Sequence, residues 1–446
     1  MLLVRAVRAL PADLFTMKMS QKAPGLSRTA FWLAFPGSDQ YVPNGMKALV
    51  YRRSVPRYLL AGLASRAFPR RFFPALAPLR LEEIFVNTPA GWVLVRNRLC
   101  GICGSDLRLL RGEESFLMEP YAFFPFVLGH EIVAEVIAAA PDTDWKPGDR
   151  VTVEPFLGCA ARGLPPCRSC ARGDRHLCEN LRAGEPYGGL GIGYTAGVGG
   201  GMAEQTYLPP ANLVRIPDGL DDRVAVLCDP LASALHPLLN HFPADDQTVV
   251  VCGLGIIGQN LIRALRALGS RARLIGLARY GFQKELALQG GADEVLLHAD
   301  RRMLAEALGA RFLRTTLGGG NIEGGADIYF DCVGSARSLQ DGLLALRARG
   351  RYVLIGSAGR TGPVDFSPLW FREVSLHGSG LPGPVEFRGN RVRPHELALK
   401  LLADEPTRWS GLEARVFPLS RYREAFQAAF NKQRFRAMKV ALDPRG

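Results

Sequence analysis

Several features that mark particular protein classes are missing or scarce in this chain. It has no run of about 18 uninterrupted apolar residues, which argues against an α-helical membrane span. Its nine cysteines in 446 residues are too few for a disulfide scaffold. The segment before Met46 has basic residues but no apolar core with a small-residue cleavage site, so a secretory signal is not expected. We therefore expect a cytoplasmic protein without a membrane partner.

Acidic residues are also scarce relative to basic ones. The chain has 42 Asp and Glu against 55 Lys and Arg, which gives a formal net charge of +13. Binding to nucleic acid usually needs such charge gathered on one face or in one tract. Here the basic residues are scattered along the chain, and only eight of them are Lys. The charge therefore predicts no nucleic-acid partner, although it would attract phosphorylated cofactors.

Length and composition indicate a folded protein of more than one domain. Hydrophobic residues make up 48% of the chain and charged residues 22%, as in ordinary globular proteins. At roughly 100 to 200 residues per domain, 446 residues exceed a single core. We interpret residues 1–45 as an N-terminal extension, for which disorder is one reading. The remainder divides at two changes of pattern.

Residues 46–231 alternate short Val-, Ile- and Leu-rich runs with Gly and Pro breaks, which predicts a mainly β domain. Residues 232–380 alternate apolar strands with Ala- and Leu-rich helical runs, which is typical of a parallel sheet with crossover helices. Residues 381–446 end in a helix-like run and a strand, and we expect this tail to return to the first domain. The fold class is therefore α/β.

The segment 52–80 stands apart because it is dense in Arg, Phe and Pro. Its prolines argue against a regular amphipathic helix, so it is interpreted as a surface insertion. A subunit interface or a substrate lid is the alternative.

A dinucleotide-binding motif follows the buried-strand run at 249–252. Gly253, Gly255 and Gly258 have the G-x-G-x-x-G spacing, with a helical run after them and a second strand at 273–277. The first Gly permits a tight turn, the second lets the backbone approach the pyrophosphate, and the third lets helix and strand pack closely. The phosphates would then lie at the helix N-terminus. The sequence therefore predicts a nicotinamide-type cofactor.

The end of the second strand indicates which cofactor is preferred. NAD enzymes usually carry Asp or Glu there, on the ribose 2′-hydroxyl. This chain has Ala278 and Arg279 instead, so no carboxylate repels a 2′-phosphate and a guanidinium is available to hold it. NADP is therefore favoured over NAD, unless Arg279 is only a solvated loop residue.

Four of the cysteines crowd into a loop-rich stretch, namely Cys159, Cys167, Cys170 and Cys178. Four thiolates complete a tetrahedral zinc site that has no open position for water or substrate. Four ordinary apolar cysteines are a poor alternative, because their neighbours are Gly, Pro and Arg. We expect a structural zinc that stabilises a lobe and takes no part in chemistry.

A second candidate metal group combines Cys103, in a Cys-Gly-Ser-Asp turn, with His130 and Glu131 in Gly-His-Glu. Thiolate, imidazole and carboxylate are the ligands of a catalytic zinc, which keeps one position for water or substrate. Each motif alone is a weak signal. Their combination raises the odds of a catalytic zinc considerably.

Taken together, the motifs resemble those of the zinc-containing medium-chain alcohol dehydrogenase family, with polyol, threonine and glucose dehydrogenases as the nearest branch. The likeness runs from Met46 to Pro444 and includes Gly-Gly-Met-Ala-Glu at 200–204 and Asp-Pro-Leu-Ala at 229–232. It implies a GroES-like mainly β catalytic domain plus a Rossmann doubly wound parallel sheet. It also implies dimers or tetramers, and an alcohol, polyol or sugar, or the corresponding carbonyl, as substrate.

By the same resemblance, Cys103 and His130 bind the catalytic zinc and Glu131 is an exchangeable ligand. Asp229 occupies the place of the third ligand, where relatives usually have Glu or Cys. The shorter Asp leaves direct ligation and a water-bridged contact both open, and the adjacent Cys228 could compete.

The resemblance further implies that Ser105 hydrogen-bonds the substrate oxygen and takes part in passing its proton, while Asp106 orients His130. Hydride then moves between the substrate and the nicotinamide. Two departures stand out. Arg108 replaces the proton-relay His of many relatives, so the proton must leave by another path. Cys159 lies eight residues before Cys167, where relatives commonly have three, and is the least certain ligand of its group.

Two other functions remain open from the sequence. A zinc-free quinone or enoyl reductase would share the fold and the cofactor but would not need the Cys and His ligands. A non-enzymatic zinc-ribbon protein that binds nucleic acid would need the four cysteines but not the Gly triple. The zinc content per chain distinguishes the three. The sequence does not identify the substrate, because scattered side chains shape the pocket.

Overall fold

The structure is a computed structural model, and it describes residues 31–33, 45–86, 91–184, 188–317, 319–357, 359 and 361–446. Most of the extension predicted at 1–45 lies outside the described residues. None of the helices described is both long and apolar enough to span a bilayer.

The first part of the described chain is mainly β. Its strands are β1 (Phe31–Leu33), β2 (Met46–Tyr51), β3 (Leu79–Val86), β4 (Val93–Gly101), β5 (Phe126–Val127), β6 (Glu131–Ala138), β7 (Arg150–Val153), β8 (Gln205–Leu208) and β9 (Leu213–Arg215). Its helices are α1 (Val55–Ala67), α2 (Gly104–Leu110), α3 (Arg168–Ala171) and α4 (Asp222–Ala225). In β4, Val93 and Val95 are fully buried whereas Arg96 is exposed, because successive side chains point to opposite faces of a strand.

These strands form two sheets that place the loops of the candidate site. One sheet has the order β1-β3-β2-β5, and in the other β4 pairs antiparallel with β6, which continues to β7 and β9. The loop after β4 and the loop before β6 leave the second sheet side by side, since Gly101 pairs with Glu131. The Cys-Gly-Ser-Asp turn and the Gly-His-Glu motif are thereby brought together.

The second part of the chain contains a parallel sheet flanked by helices. Its strands are β10 (Thr248–Cys252), β11 (Arg273–Ala278), β12 (Glu294–Leu297), β13 (Arg311–Leu313), β14 (Asn321–Glu323), β15 (Ala326–Asp331), β16 (Leu346–Leu354) and β17 (Ser375–Gly378). Its helices are α5 (Cys228–Asn240), α6 (Ile256–Ala267), α7 (Gly281–Gln289), α8 (Arg301–Ala307), α9 (Ala336–Ala345) and α10 (Ser367–Phe371).

This sheet is doubly wound, in the order β12-β11-β10-β15-β16-β17 with parallel pairing throughout. Residues 249–251 of β10 are fully buried, as expected for a strand covered by helices on both faces. The strand order reverses between β10 and β15, and ligands of such sheets bind in the crevice at that point. The predicted fold class, a mainly β domain plus a Rossmann doubly wound sheet, is confirmed.

The tail contributes to both parts of the molecule. Its elements are β18 (Val385–Phe387), β19 (Asn390–Val392), α11 (Pro394–Asp404), β20 (Arg415–Pro418), α12 (Tyr422–Phe430), α13 (Lys432–Phe435) and β21 (Val440–Asp443). Helix α11 packs against α5 within the core of the parallel sheet. Strand β21 pairs antiparallel with β4, where Leu442 faces Cys100. The last strand of the chain therefore lies beside the Cys-Gly-Ser-Asp turn.

The insertion at 52–80 contains a regular helix, α1. The expectation that the prolines of this segment prevent a regular helix was therefore wrong. Pro56 lies in the first turn, where the backbone N–H has no partner within the helix, so it does not break the hydrogen bonding. The burial of its residues is the reverse of that in an ordinary amphipathic helix, where the large apolar side chains face the core. The small Ala61 and Ser65 are buried, whereas Leu59 and Leu63 are 52% and 62% exposed.

The end of the insertion is anchored to the tail. Phe72 is buried, and its ring centroid lies 5.4 Å from that of Phe426 and 5.6 Å from that of Phe430, both on α12. The Phe72 backbone N–H also donates to Gln427 Oε1 at 3.1 Å. The insertion is therefore fixed against α12 at its C-terminal end.

Truncation of this aromatic cluster is expected to destabilise the fold. Phe426 is fully buried, so Phe426→Ala should lower the free energy of unfolding by about 3 to 5 kcal/mol. Phe116→Ala, at a side chain that is 55% exposed, is the matched control and should change it by less than about 1 kcal/mol. Urea denaturation followed by intrinsic fluorescence measures both, and equal losses would contradict the packing described.

Candidate active site

Three of the sequence-predicted zinc ligands converge where β4 and β6 meet. Cys103 is the residue before α2, His130 precedes β6, and Glu131 begins β6. One donor atom from each of them, a sulfur, an imidazole nitrogen and a carboxylate oxygen, lies within 4.8 Å of the others. Gly129, with φ +98°, makes the turn that presents His130.

The electrostatics of this group fit a bound cation. Burial alone would lower the pKa of His130, but the charges of Cys103, Asp106 and Asp229 raise it to about 10. His130 Nδ1 is buried and has no hydrogen-bond partner among the described residues. The pocket thus combines excess negative charge with an unpartnered nitrogen donor. A divalent zinc would balance both.

Asp229 lies at the edge of this group and is held by a residue that the sequence did not indicate. It is buried in the first turn of α5, and its Oδ1 lies 3.2 Å from Nε2 of His395 on α11. The group of ligand atoms that lie within 4.8 Å of one another comes from Cys103, His130 and Glu131 and does not include Asp229. The neighbouring Cys228 donates to the carbonyl oxygen of His395 at 3.4 Å.

Lys439 is a further charged residue of the site that the sequence reasoning missed. It is buried just before β21, forms an ion pair with Glu131, and donates to the Ile102 carbonyl oxygen at 3.1 Å. Burial alone would lower the pKa of Lys439, but the Glu131 carboxylate raises it above its usual value. The available signal was a lone lysine within the apolar run 437–442.

Ser105 and Asp106 share a partner, Tyr194, which lies in a Gly-rich loop at 188–201 that the sequence analysis did not connect with the site. The Tyr194 hydroxyl donates to Ser105 Oγ at 2.8 Å and lies 3.3 Å from Asp106 Oδ1. Asp106 is fully buried and its Oδ2 accepts from the Cys103 backbone N–H at 2.9 Å. The hydrogen bonds recorded for Asp106 thus go to Cys103 and Tyr194, while its charge acts on His130.

Arg108, the replacement for the relay His, is directed elsewhere. Its Nε donates to Glu114 Oε1 at 3.3 Å and its terminal nitrogen to the Glu113 carbonyl oxygen at 3.1 Å. The side chain that hydrogen-bonds Ser105 is therefore Tyr194 and not Arg108.

The four clustered cysteines form a second candidate metal centre. Their sulfur atoms all lie within 4.8 Å of one another, Cys159 included. A short 3-10 turn at Ala160–Arg162, closed by Gly163 with φ +64°, accommodates the longer spacing after Cys159. The backbone N–H of Cys167 donates to Cys159 Sγ at 3.3 Å, and that of Cys170 to Cys167 Sγ at 3.5 Å.

Such donors stabilise thiolates over thiols. The backbone N–H groups of Cys170 and Glu179 are the main cause that lowers the pKa of Cys167 to about 6. Burial raises the pKa of Cys170 to about 12 and that of Cys178 above its usual value. The convergence of the four sulfurs is therefore the observation that suits a zinc with no position left for substrate.

The cofactor motif lies at the crevice of the parallel sheet. Gly253, with φ +89°, begins the turn after β10, and α6 begins directly after Gly255. A Cβ on Gly258 would lie 2.4 Å from the Gly253 carbonyl oxygen, so helix and turn approach too closely for any side chain. The positive φ of Gly253 and the close packing at Gly258 agree with the tight turn and the helix–strand approach expected there, and the role of Gly255 stays a prediction.

The end of β11 carries the residues predicted to select the cofactor. Ala278 is buried as its last residue, and Arg279 is exposed with its guanidinium 5.6 Å from the Tyr280 ring centroid. The backbone N–H groups of Arg279 and Tyr280 both donate to Gln283 Oε1 at 3.2 Å. This side chain fixes the turn that presents Arg279.

Comparison with known proteins identifies both halves of the chain. Residues 89–218 match the alcohol dehydrogenase GroES-like domain, and residues 257–392 match the zinc-binding dehydrogenase domain. The chain is 33% identical over 292 residues to an L-threonine 3-dehydrogenase of Streptomyces avermitilis. The aligned region covers 65% of this chain and 76% of that protein.

Solved structures share the fold. An Escherichia coli alcohol dehydrogenase, RspB, in complex with NADH has a TM-score of 0.66 and 22% identity, covering 90% of this chain and 99% of that one. A zinc-binding dehydrogenase of Sinorhizobium meliloti bound to NADP has a TM-score of 0.66 and 24% identity, with the same coverage of 90% and 99%. At this level of identity the likeness concerns the fold, and the two cofactors differ.

The cysteine lobe generates a test of its metal. Cys170→Ala should release one zinc ion per chain and lower the thermal unfolding midpoint, because a closed thiolate site contributes its binding free energy to folding. Cys332→Ala, which removes a cysteine outside both clusters, is the matched control and should keep the full zinc content. Zinc is measured by atomic emission and unfolding by calorimetry. Unchanged zinc and stability in Cys170→Ala would show that the lobe holds no metal.

Proposed function

The chain belongs to the zinc-containing medium-chain alcohol dehydrogenase family, and from this premise we propose that its catalytic zinc is held by Cys103, His130 and Glu131. It is accordingly a zinc-dependent oxidoreductase that transfers hydride between a nicotinamide cofactor and an alcohol or polyol. The observation that carries the proposal is the convergence of the three ligand atoms within 4.8 Å. The sulfurs of Cys159, Cys167, Cys170 and Cys178 would hold the structural zinc.

Asp229 is proposed to act on the catalytic zinc without replacing Glu131. Its Oδ1 contacts His395, while its charge acts on both His130 and Glu131. A contact with the zinc through a bridging water agrees best with this position. The Asp229 carboxylate acts on the site through its charge, but it is not among the three residues whose ligand atoms lie within 4.8 Å of one another.

In the proposed reaction a bound zinc supplies Lewis-acid polarisation of the substrate oxygen, and the nicotinamide exchanges the hydride. Ser105 would orient the substrate by a hydrogen bond to that oxygen. As Ser105 Oγ takes the substrate proton, both hydroxyls turn so that the proton of Ser105 passes to the Tyr194 oxygen and the proton of Tyr194 passes to Asp106 Oδ1, 3.3 Å away. Tyr194, 2.8 Å from Ser105 Oγ, is the next group on the path. Burial raises the pKa of Tyr194 well above its usual value, so it passes protons as a neutral hydroxyl. This path replaces the relay His whose position Arg108 occupies.

NADP is the proposed cofactor in preference to NAD. The support is chemical: Ala278 offers no carboxylate for the ribose 2′-hydroxyl, and the exposed Arg279 offers a cation for a 2′-phosphate. The substrate would be a small alcohol, polyol or sugar, or the matching carbonyl, as the names of the relatives suggest.

A homodimer or homotetramer is proposed on the basis of the edge of the parallel sheet. Strand β17 is the last strand on that side, and Trp370, Phe371 and Leu376 near it are 72%, 73% and 42% exposed. An open edge beside apolar side chains favours pairing with a second copy.

Free thiols in both metal groups suit a reducing cytoplasm. No nucleic-acid or membrane partner is proposed.

Removal of a zinc ligand should abolish turnover. Cys103→Ser and His130→Ala each take away one donor from the metal that polarises the substrate oxygen, so kcat should fall by about three orders of magnitude or more. Thermal stability and NADPH binding, followed by fluorescence, should stay near those of the wild type. Cys228→Ser is the control, because its side chain faces His395 and can keep that hydrogen bond. Near-wild-type turnover by either ligand variant without its zinc would exclude the mechanism.

Cofactor choice should respond to the end of β11. Ala278→Asp combined with Arg279→Ala should shift preference from NADP toward NAD by ten-fold or more in relative kcat/KM, because charge-assisted contacts contribute roughly 1.5 to 3 kcal/mol each. Arg271→Ala, two residues before β11, is the control and should leave the ratio unchanged. Steady-state kinetics with both cofactors provides the measurement, and a wild-type enzyme that strongly prefers NAD would refute the role of Arg279.

A further inference from the structure

We propose that Arg70, which lies just after α1 in the insertion at 52–80, is a second cation for the 2′-phosphate of NADP and acts together with Arg279 from the opposite domain. The inference rests on the proposed preference for NADP and extends it to a residue outside the dinucleotide-binding fold. It gives the insertion at 52–80 a part in cofactor selection.

The two guanidinium groups share one aromatic ring. The guanidinium carbon of Arg70 lies 5.9 Å from the centroid of the Tyr280 ring, and that of Arg279 lies 5.6 Å from the same centroid. Tyr280 directly follows Arg279 at the end of β11, where the adenosine ribose lies in sheets of this kind. Both guanidinium groups therefore lie beside the residue that follows the cofactor-selecting position.

The backbone of Arg70 is held in place from several sides. Gln427 Nε2 on α12 donates to the Arg70 carbonyl oxygen at 2.9 Å. Arg111 donates to the carbonyl oxygen of the preceding Pro69 at 3.0 Å, and the ring of Phe72 is buried against α12. Because the chain is fixed on both sides of position 70, its side chain extends toward Tyr280 from a fixed starting point.

The charges around Tyr280 are unbalanced. The contacts recorded for the side chains of Arg70 and Arg279 are with the Tyr280 ring, and neither forms an ion pair within the described part of the chain. Burial lowers the pKa of a third cation, Arg111, and the charge of Arg279 lowers it further, although Glu113 lies 4.0 Å from Arg111. The nearby Glu285 is already paired with Arg436 at 3.0 Å.

Two cations beside one ring, neither of them in an ion pair among the described residues, favour an anionic ligand. A 2′-phosphate is a doubly charged group with three acceptor oxygens, which suits two guanidinium groups better than one. A ribose with a free 2′-hydroxyl offers no such charge. The arrangement therefore favours a phosphate over a hydroxyl at this position, and Arg70 adds to the selectivity of Arg279.

The test uses two probes that differ only in the phosphate, adenosine 2′,5′-bisphosphate and adenosine 5′-monophosphate, with binding measured by calorimetry on the zinc-loaded full chain. Arg70→Ala should weaken binding of the bisphosphate about five- to ten-fold and leave the monophosphate unchanged, since an exposed charge pair is screened by solvent. Arg66→Ala, an exposed arginine on α1, is the matched control and should bind both probes as the wild type does. Arg70→Lys should retain part of the selectivity.

Three other results would overturn the inference. If Arg70→Ala binds both probes as the wild type does while Arg279→Ala loses selectivity, Arg279 acts alone and the preference for NADP stands. If Arg70→Ala weakens both probes equally, Arg70 contacts the adenosine and not the phosphate. If the wild type does not distinguish the probes, the preference for NADP fails together with the role of Arg70. The thermal midpoint of each variant separates these effects from unfolding.

Discussion

The buried ion pair between Glu131 and Lys439 is the contact on which the arrangement of the site depends. Both side chains are 2% exposed, and the Lys439 ammonium also donates to the Ile102 carbonyl oxygen, one residue before Cys103. A buried pair of this kind is costly to break, because one unpaired charge left in the interior destabilises a fold by about 3 to 5 kcal/mol. Gly101 makes room for the pair, since a Cβ there would lie 2.0 Å from Glu131 Oε2. The last strand, the Cys103 turn and the start of β6 are therefore fixed by one interaction.

The acidic side chains near that pair each have a positively charged or hydrogen-bond-donating partner. Glu131 faces Lys439, Asp229 faces His395, and Asp106 accepts from the Cys103 backbone. Each acidic group thus has its own partner, and the remaining negative potential falls on His130. A divalent cation suits this arrangement, because it supplies the positive charge that the protein groups leave unbalanced.

The sequence predicted those parts of the molecule in which neighbours in space are also neighbours in the chain. The Gly triple and the four cysteines are local patterns, and β4 and β6 bring the Cys103 and His130 motifs together by a single pairing. Lys439, His395 and Tyr194 could not be found in this way, because they reach the site from the tail and from a Gly-rich loop through contacts that no local pattern encodes. Helix α1 was missed for another reason: of the prolines in the segment 52–80 only Pro56 lies in the helix, and in the first turn it does not interrupt the hydrogen bonding.

The position of Lys439 has a consequence for synthesis of the protein. More than 300 residues separate it from Cys103. At roughly 5 to 20 residues per second, the ribosome delivers Cys103, His130 and Glu131 roughly 15 to 70 seconds before the lysine. Through that interval Glu131 has no ammonium partner. The nascent chain can accept a metal ion first, and the final strand then closes over a centre that already carries its charge.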